Sequence, residues 1–247
     1  MVTGPRRSPR ACGASTMHEE QAPLIFPASR IQPADAFILE KGAFDALVFD
    51  CDGTLVDSAG AHLYSIQQAL APLGLTMEPE WYAGRTGLSP DALLDAYEAE
   101  FKLHSLARSD YYDRVNDAFL GGVNLIQEIK LVADVARQWF GKIPLAVASN
   151  GVRRNVEATL VATRLRPLFY TIVTADDVPR PKPAPDVYLE AARRMRVQPE
   201  RVAVFEDSDE GLHAARQAGM RSFDVREAQV RMTDSSSRQV TVSTDSR

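Results

Sequence analysis

The sequence predicts an α/β protein: a parallel β-sheet with helices on both faces, interrupted after its first strand by a helical insert. Three observations carry this prediction. Four short apolar runs rich in small or branched residues each lead into a polar turn and then a helical pattern, the alternation that builds parallel sheets. The alternation breaks between about residues 60 and 122, where the chain reads as consecutive helices with no strand. The composition, 45% hydrophobic and 25% charged, is that of an ordinary globular protein and excludes disorder over the full length. At 247 residues the chain has room for one large domain carrying a smaller insert.

Taken in order, residues 1–40 differ from the rest. Met1 to His18 carry Arg6, Arg7 and Arg10 but no acid, with small and polar residues between. This segment reads as a disordered extension, or as an over-long start with Met17 as initiator. Organelle transit peptides share that composition, so targeting is the secondary reading. No apolar stretch follows the arginines, which argues against a secretory signal. The strands are then Phe44 to Phe49, Pro144 to Ala148, Tyr170 to Thr174 and Arg201 to Phe205, with a weaker fifth, Arg221 to Val225, after Gly219. They assign residues 41–59 and 122–227 to the core. Within the insert, residues 60–121, Leu63, Ile66, Leu70 and Leu73 recur at helical spacing. A second helix starts after Ser89-Pro90, where proline is tolerated in the first turn. A third covers about 109–120, and Gly121-Gly122 reads as the return hinge. Residues 228–247, including Ser235-Ser236-Ser237, lack a packable face and read as a frayed tail.

Charge and cysteine usage narrow the function. The 28 basic and 33 acidic side chains give a net charge of −5, without the basic footprint of a nucleic-acid binder. No apolar run approaches the roughly 20 residues a membrane helix needs, so no membrane partner is expected. Cys12 and Cys51 are too few for a disulfide framework or a four-thiolate zinc site. The expected compartment is the reducing cytoplasm.

In open parallel sheets, ligands bind at the carboxyl ends of the strands. After the first strand comes Asp50-Cys51-Asp52-Gly53-Thr54; after the second, Ser149-Asn150-Gly151; between the third and fourth, Pro181-Lys182-Pro183; after the fourth, Glu206-Asp207-Ser208. Asp50, Asp52, Glu206 and Asp207 converging on one crevice exceed what Lys182 can neutralise. A hard divalent cation with oxygen ligands resolves the balance, and Mg²⁺ suits a site that also receives phosphate. Asp50 and Asp52 are two apart, so on an extended segment they face one side. That spacing suits Asp50 as a carboxylate nucleophile on phosphorus and Asp52 as proton donor to the leaving oxygen, then activator of water. The Ser149 hydroxyl, the Asn150 backbone N–H and the Lys182 ammonium suit the phosphoryl oxygens. A calcium loop is excluded, because its glycine and glutamate positions fall on Leu55 and Ala61. Each segment alone is an ordinary turn or cap; together, in order, each at a strand exit, they point to one site.

This ordered set resembles the haloacid-dehalogenase-like (HAD) hydrolases, over about residues 44–226. Gly211 to Met220, with Ala214-Ala215-Arg216 and Ala218-Gly219-Met220, is similar as well. The resemblance implies a Rossmann-like core with a helical cap after the first motif. It implies magnesium held by the side chains of Asp50 and Asp207 and the backbone carbonyl of Asp52, with Glu206 supporting directly or through water. Within the family the chain looks closest to the β-phosphoglucomutase and sugar-phosphate phosphatase branch. His62 matches a histidine at the cap hinge of the mutases, although an ordinary helix residue is the plainer reading. Thr86 and Pro90 stand where the mutases carry a lysine and an arginine that grip a second phosphate, leaving Arg85 as the nearest substitute. A phosphatase of a small sugar phosphate or related metabolite, through an aspartyl-phosphate, is the first expectation. A sugar phosphomutase is the alternative. A dehalogenase or a silent regulatory relative fits less well, since Asp50, Asp52 and the acidic pair are all present.

Overall fold

The computed structural model describes residue 37 and residues 42–86, 88–103 and 106–227. The readings of the arginine-bearing start and of the frayed tail beyond residue 227 lie outside the described residues. Five parallel strands form the sheet: β1 (Ala46–Phe49), β4 (Leu145–Ala148), β5 (Thr171–Val173), β6 (Val202–Glu206) and β7 (Arg221–Asp224), in the order β5-β4-β1-β6-β7. The register aligns Leu47 with Leu145 and with Ala203. β1, β4 and β6 are buried along their whole length, as continuous apolar runs in a parallel sheet should be.

Successive side chains of β1 serve opposite layers. Leu47 and Phe49 pack with Val132 and Val135 of α5 (Lys130–Trp139) and with Val156 and Leu160 of α6 (Arg153–Ala162). Ala46 and Val48 pack with Val187 and Ala191 of α7 (Asp186–Met195) and with Ala214 and Ala215 of α8 (Asp209–Gln217). Phe37 belongs to the first layer. It is 3% exposed and meets Phe205 and Phe223 edge-on at 5.0 and 6.0 Å between ring centres. The expectation that residues 1–40 leave the core alone is therefore corrected at Phe37. A single aromatic without a periodic neighbour gives no pattern to read.

The helical cap follows β2 (Val56–Asp57) and ends before β3 (Gln127–Glu128). It comprises α1 (Ala59–Leu70), α2 (Pro79–Ala83), α3 (Pro90–Phe101), α4 (Arg108–Ala118) and a 3₁₀ segment, Phe119–Leu125. Ser89 caps α3 by accepting the Ala92 N–H at 3.3 Å, with Pro90 in the first turn. Ile66, Leu70, Met77, Leu94, Tyr97 and Tyr111 make a third apolar cluster inside this unit. Leu73, expected on the buried stripe, is 43% exposed because α1 stops at Leu70 and a 3₁₀ turn follows. β2 and β3 pair antiparallel, Val56 with Glu128 and Asp57 with Gln127, and tie the two connections together. Neither Gly121 nor Gly122 adopts a positive φ. A Cβ at Gly121 would lie 2.9 Å from the Tyr64 ring, and one at Gly122 3.2 Å from the Ala61 backbone. They are small so that the returning chain can lie against α1.

Candidate active site

The carboxyl ends of β1, β4 and β6 bring most of the expected residues together. Asp50 continues β1 and is held to β6 by its N–H on the Phe205 carbonyl at 3.0 Å. Buried Lys182 sits under it, with Nζ 2.6 Å from Asp50 Oδ1 and 2.8 Å from Glu206 Oε2. Asn150 holds the Lys182 backbone at two points: its Oδ1 accepts the Lys182 N–H at 2.8 Å, and its Nδ2 donates to the Lys182 carbonyl at 3.1 Å. Ser149 is buried, and its Oγ accepts the Gly151 N–H at 3.0 Å.

Glu206 is the most fully bonded group. Its Oε2 accepts from Lys182 and from the Tyr188 hydroxyl at 2.6 Å, and its Oε1 accepts from the Ser208 N–H at 3.0 Å and the Ser208 hydroxyl at 2.6 Å. Gly211 leaves room for it, since a Cβ there would lie 2.1 Å from Glu206 Cδ. Asp207 accepts from Thr54 Oγ1 at 2.9 Å. Gly53 must also be glycine, for its φ of +84° and because a Cβ would lie 2.1 Å from Asp207 Oδ2. Tyr188, Thr54, Gly211 and Ser208 escaped sequence reasoning as partners of the acids. Tyr188 reads there as a core aromatic on an amphipathic helix, and only the spacing Glu206-x-Ser208 hints at a cap.

Oxygens of Asp50, Glu206 and Asp207 lie within 4.8 Å of one another. Asp52 is not one of this triplet, and its carboxylate is held by the start of the cap. Its Oδ1 accepts from Ser58 Oγ at 2.5 Å and lies 3.6 Å from His62 Nε2. The turn after Asp50 is closed by Val56, whose N–H reaches the Cys51 carbonyl at 3.1 Å, and Asp52 itself forms a bridge with Val56. Arg85 is engaged inside the cap. Its guanidinium stacks 4.0 Å over Trp81 and donates to Glu100 Oε2 at 3.0 Å.

The charges explain one another. Burial, then the Glu206 charge, pushes the Asp50 carboxyl well above the usual carboxylate range, against the pull of Lys182. Burial acts against the charge of Lys182 too, but Asp50, Tyr188 and Glu206 outweigh it and hold the ammonium well above its ordinary value. Burial opposes Glu206 ionisation as well, yet Lys182, Ser208 and Tyr188 bring its carboxyl below the usual range. Asp207 is raised to about 6 by burial and by Glu206. For Asp52, burial is outweighed by His62 and Ser58, and its carboxyl lies low. Lys182 and Glu206 thus neutralise each other, and Asp50 and Asp207 remain as hard oxygen donors short of a countercharge. That donor set fits a divalent cation.

A family model described as haloacid dehalogenase-like hydrolase matches residues 47–225. Fructose-1-phosphate phosphatase YqaB of Escherichia coli K12 is 37% identical over 188 residues, covering 74% of this chain and 97% of its own. Protein CbbY of Rhodobacter capsulatus is 31% identical over 193 residues, covering 71% and 82%. Among solved structures, CbbY from Rhodobacter sphaeroides in complex with phosphate matches with a TM-score of 0.61 at 29% identity, over 72% of this chain and 84% of that one. A sheet of this order, a cap after its first strand and a model spanning both lead to one conclusion: the chain belongs to the haloacid dehalogenase-like hydrolase family.

Proposed function

We propose that the protein is a Mg²⁺-dependent phosphatase of a small sugar phosphate or related phosphomonoester, acting through an aspartyl-phosphate on Asp50. The observation that carries it is the convergence of the Asp50, Glu206 and Asp207 carboxylates around a single buried ammonium, Lys182. Similarity to a fructose-1-phosphate phosphatase supports the substrate class.

Asp50 and Asp207 would hold Mg²⁺ through side chains and Asp52 through its backbone carbonyl, with Glu206 supporting directly or through water. Bound there, the ion supplies the positive charge that keeps Asp50 ionised and offsets charge on the phosphoryl oxygens. An Asp50 oxygen attacks phosphorus and the bond to the leaving oxygen breaks, while a proton passes from Asp52 to that oxygen. The incoming phosphate dianion favours the protonated form of Asp52, whose carboxyl is otherwise low. Asp52 then takes a proton from water as the water oxygen attacks phosphorus, releasing inorganic phosphate and restoring Asp50. Ser149 and Lys182 hold the phosphoryl oxygens; the Asn150 side chain fixes Lys182, leaving its backbone N–H for the phosphate.

The mutase alternative needs a cation in the cap for the second phosphate. Arg85, the nearest substitute, is engaged by Trp81 and Glu100, which favours the phosphatase. The test is phosphate release from a sugar-phosphate panel with and without Mg²⁺, following glucose 1-phosphate isomerisation in parallel. Release that needs Mg²⁺ and disappears in Asp50→Asn is expected. Turnover in excess chelator, near wild-type release by Asp50→Asn, or isomerisation with little free phosphate would overturn the reading.

A further inference from the structure

The end of the sheet opposite the acids carries an apolar groove of about 250 Å³. The segments that lead into β4 and β5 form it, with Phe140, Ile143 and Pro144 on one side and Pro167, Leu168 and Tyr170 on the other. The groove is preformed. The Tyr170 N–H donates to the Leu145 carbonyl at 2.8 Å and ties the two segments together. Ile143, Leu168 and buried Phe169 belong to the first apolar layer, where Phe169 meets Phe49 edge-on at 5.9 Å. On the rim, Phe140 is 54% and Tyr170 70% exposed. We propose that this groove docks a short segment of a partner protein, one that inserts a single aromatic or large aliphatic side chain and carries Asp or Glu beside it.

Size, charge and the state of the sheet edge select this occupant. The groove is smaller than the roughly 300–1,000 Å³ of small-molecule pockets. Its lining side chains offer one polar group, the Tyr170 hydroxyl, so a charged metabolite finds nothing to fix it. The exposed parts of Phe140 and Tyr170 come to roughly 250 Å², taking the area an aromatic side chain usually buries. That is well below the roughly 800 Å² per partner of a stable dimer, so a second copy does not suit it. An added strand does not either. β5 is the edge of the sheet, and its Ile172 carbonyl already accepts from Arg153 and Arg194 at 3.1 and 3.0 Å. A hollow receives a side chain, whereas a bilayer takes up apolar faces that protrude. The charge is local and of one sign. Residues 139–145 and 161–170 contain Lys142, Arg164 and Arg166 and no acid, in a chain of net charge −5. Glu157 takes Arg166 at 2.7 Å. Lys142 and Arg164 are exposed and have no carboxylate partner among the described residues, and acids on the occupant supply one. The groove lies at the amino ends of β4 and β5, while Asp50 and Ser149 follow the carboxyl ends of β1 and β4. Docking there leaves the acids accessible.

The test is a selection of random displayed peptides on the full-length protein, followed by fluorescence anisotropy of each recovered peptide with purified variants. Peptides in which acids flank one aromatic or large aliphatic residue are expected. Their Kd should weaken by about tenfold or more in Phe140→Asp and Tyr170→Asp, as for a buried anchor. In Lys142→Glu it should weaken about threefold, with a flatter salt dependence. All three positions are exposed, so each variant should keep the wild-type Tm, and binding is read without turnover. If an aspartate variant melts early, Tyr170→Ala and Lys142→Glu decide in its place. Recovery of no peptide, or only of peptides that bind every variant as tightly as wild type, would overturn the proposal. So would light scattering that shows a dimer dissociated by Tyr170→Asp. Binding to phosphatidylserine-containing vesicles that Tyr170→Asp abolishes, with no peptide recovered, would overturn it in favour of a membrane surface.

Discussion

At the scale of single residues, the site depends on groups that hold other groups. Asp50, Lys182, Glu206 and Asp207 were legible because each stands at a strand exit in a polar turn, where the parallel-sheet rule places ligands. What holds them was not legible. Tyr188 is fully buried on α7, and its sequence context is that of any core aromatic. Its hydroxyl nonetheless gives Glu206 one of four hydrogen bonds, and its ring lies 5.0 Å from the Lys182 ammonium. Tyr188→Phe keeps the ring and removes the donor. It should lower kcat several-fold with KM little changed, and cost about 1–3 kcal/mol of stability for the deprived carboxylate. Unchanged kcat and urea midpoint would show that three donors suffice. Asp207 supplies a pH prediction. With its carboxyl raised to about 6 by burial and by Glu206, it carries a proton in more acidic solution, and that proton must leave before a cation binds. Apparent Mg²⁺ affinity should weaken as pH falls below 6, by up to about tenfold per unit from this group, with Asp50, which is raised as well, adding to the loss. Calorimetric Mg²⁺ titrations at pH 5, 6 and 7.5 measure it, and equal affinity at pH 5 and 7.5 would contradict this role for Asp207.

At the scale of elements, strands that are buried on both faces announced themselves, because a continuous apolar run bounded by turns needs no periodicity to be read. The β2–β3 ladder did not, since two residues a side carry no pattern. Cap helix α3 was legible from its Ser89-Pro90 start, while short α2 (Pro79–Ala83) and the 3₁₀ segment fall below the length at which a helical period shows. What locks the elements at the β5 edge is also invisible in sequence. Asp177 closes a capping box with Thr174 and pairs with Arg153 of α6 and with Arg194 of α7, the latter at 3.0 Å. Burial opposes its charge, but the Thr174 N–H, Arg194 and Arg153 outweigh that and lower its carboxyl. A lowered folded-state value means the stabilisation is present above the unfolded value near 3.8 and is lost as pH falls through the folded one. Asp177→Asn should therefore cost about 1–2 kcal/mol at pH 7, reduced by the partial exposure of Arg153. The gap to wild type should narrow in urea melts towards pH 3.5. A gap that stays constant with pH would assign the loss to packing instead of charge.

At the scale of the whole molecule, the chain divides its apolar material into two layers against the sheet and a third cluster in the cap. This division explains why a helical stretch could follow the first strand without a sheet of its own. The edge of the first layer is closed by Phe37, which lies outside every run the sequence marked. Phe37 joins Phe44, Phe205 and Phe223 in a chain of aromatic contacts, with ring centres 5.0–6.2 Å apart. It covers the face of β6 and β7 opposite α8. Shortening the protein to begin at residue 42 removes it. Exposing that surface costs a large share of what a buried phenylalanine contributes, about 2–4 kcal/mol. For a domain of this size that is a fall in Tm of roughly 5–15 °C. Asp50 and Lys182 lie at the carboxyl ends of the strands and do not touch Phe37, so kcat/KM at 25 °C should stay within a small factor. Phe37→Ala in the full-length chain should reproduce the shift, and a chain beginning at residue 31 should not show it. If the chain beginning at residue 42 melts with the full-length protein, the aromatic edge is packed but contributes no stability. If Phe37→Ala melts normally while the shortened chain does not, the stabilising contact belongs to another residue before 42.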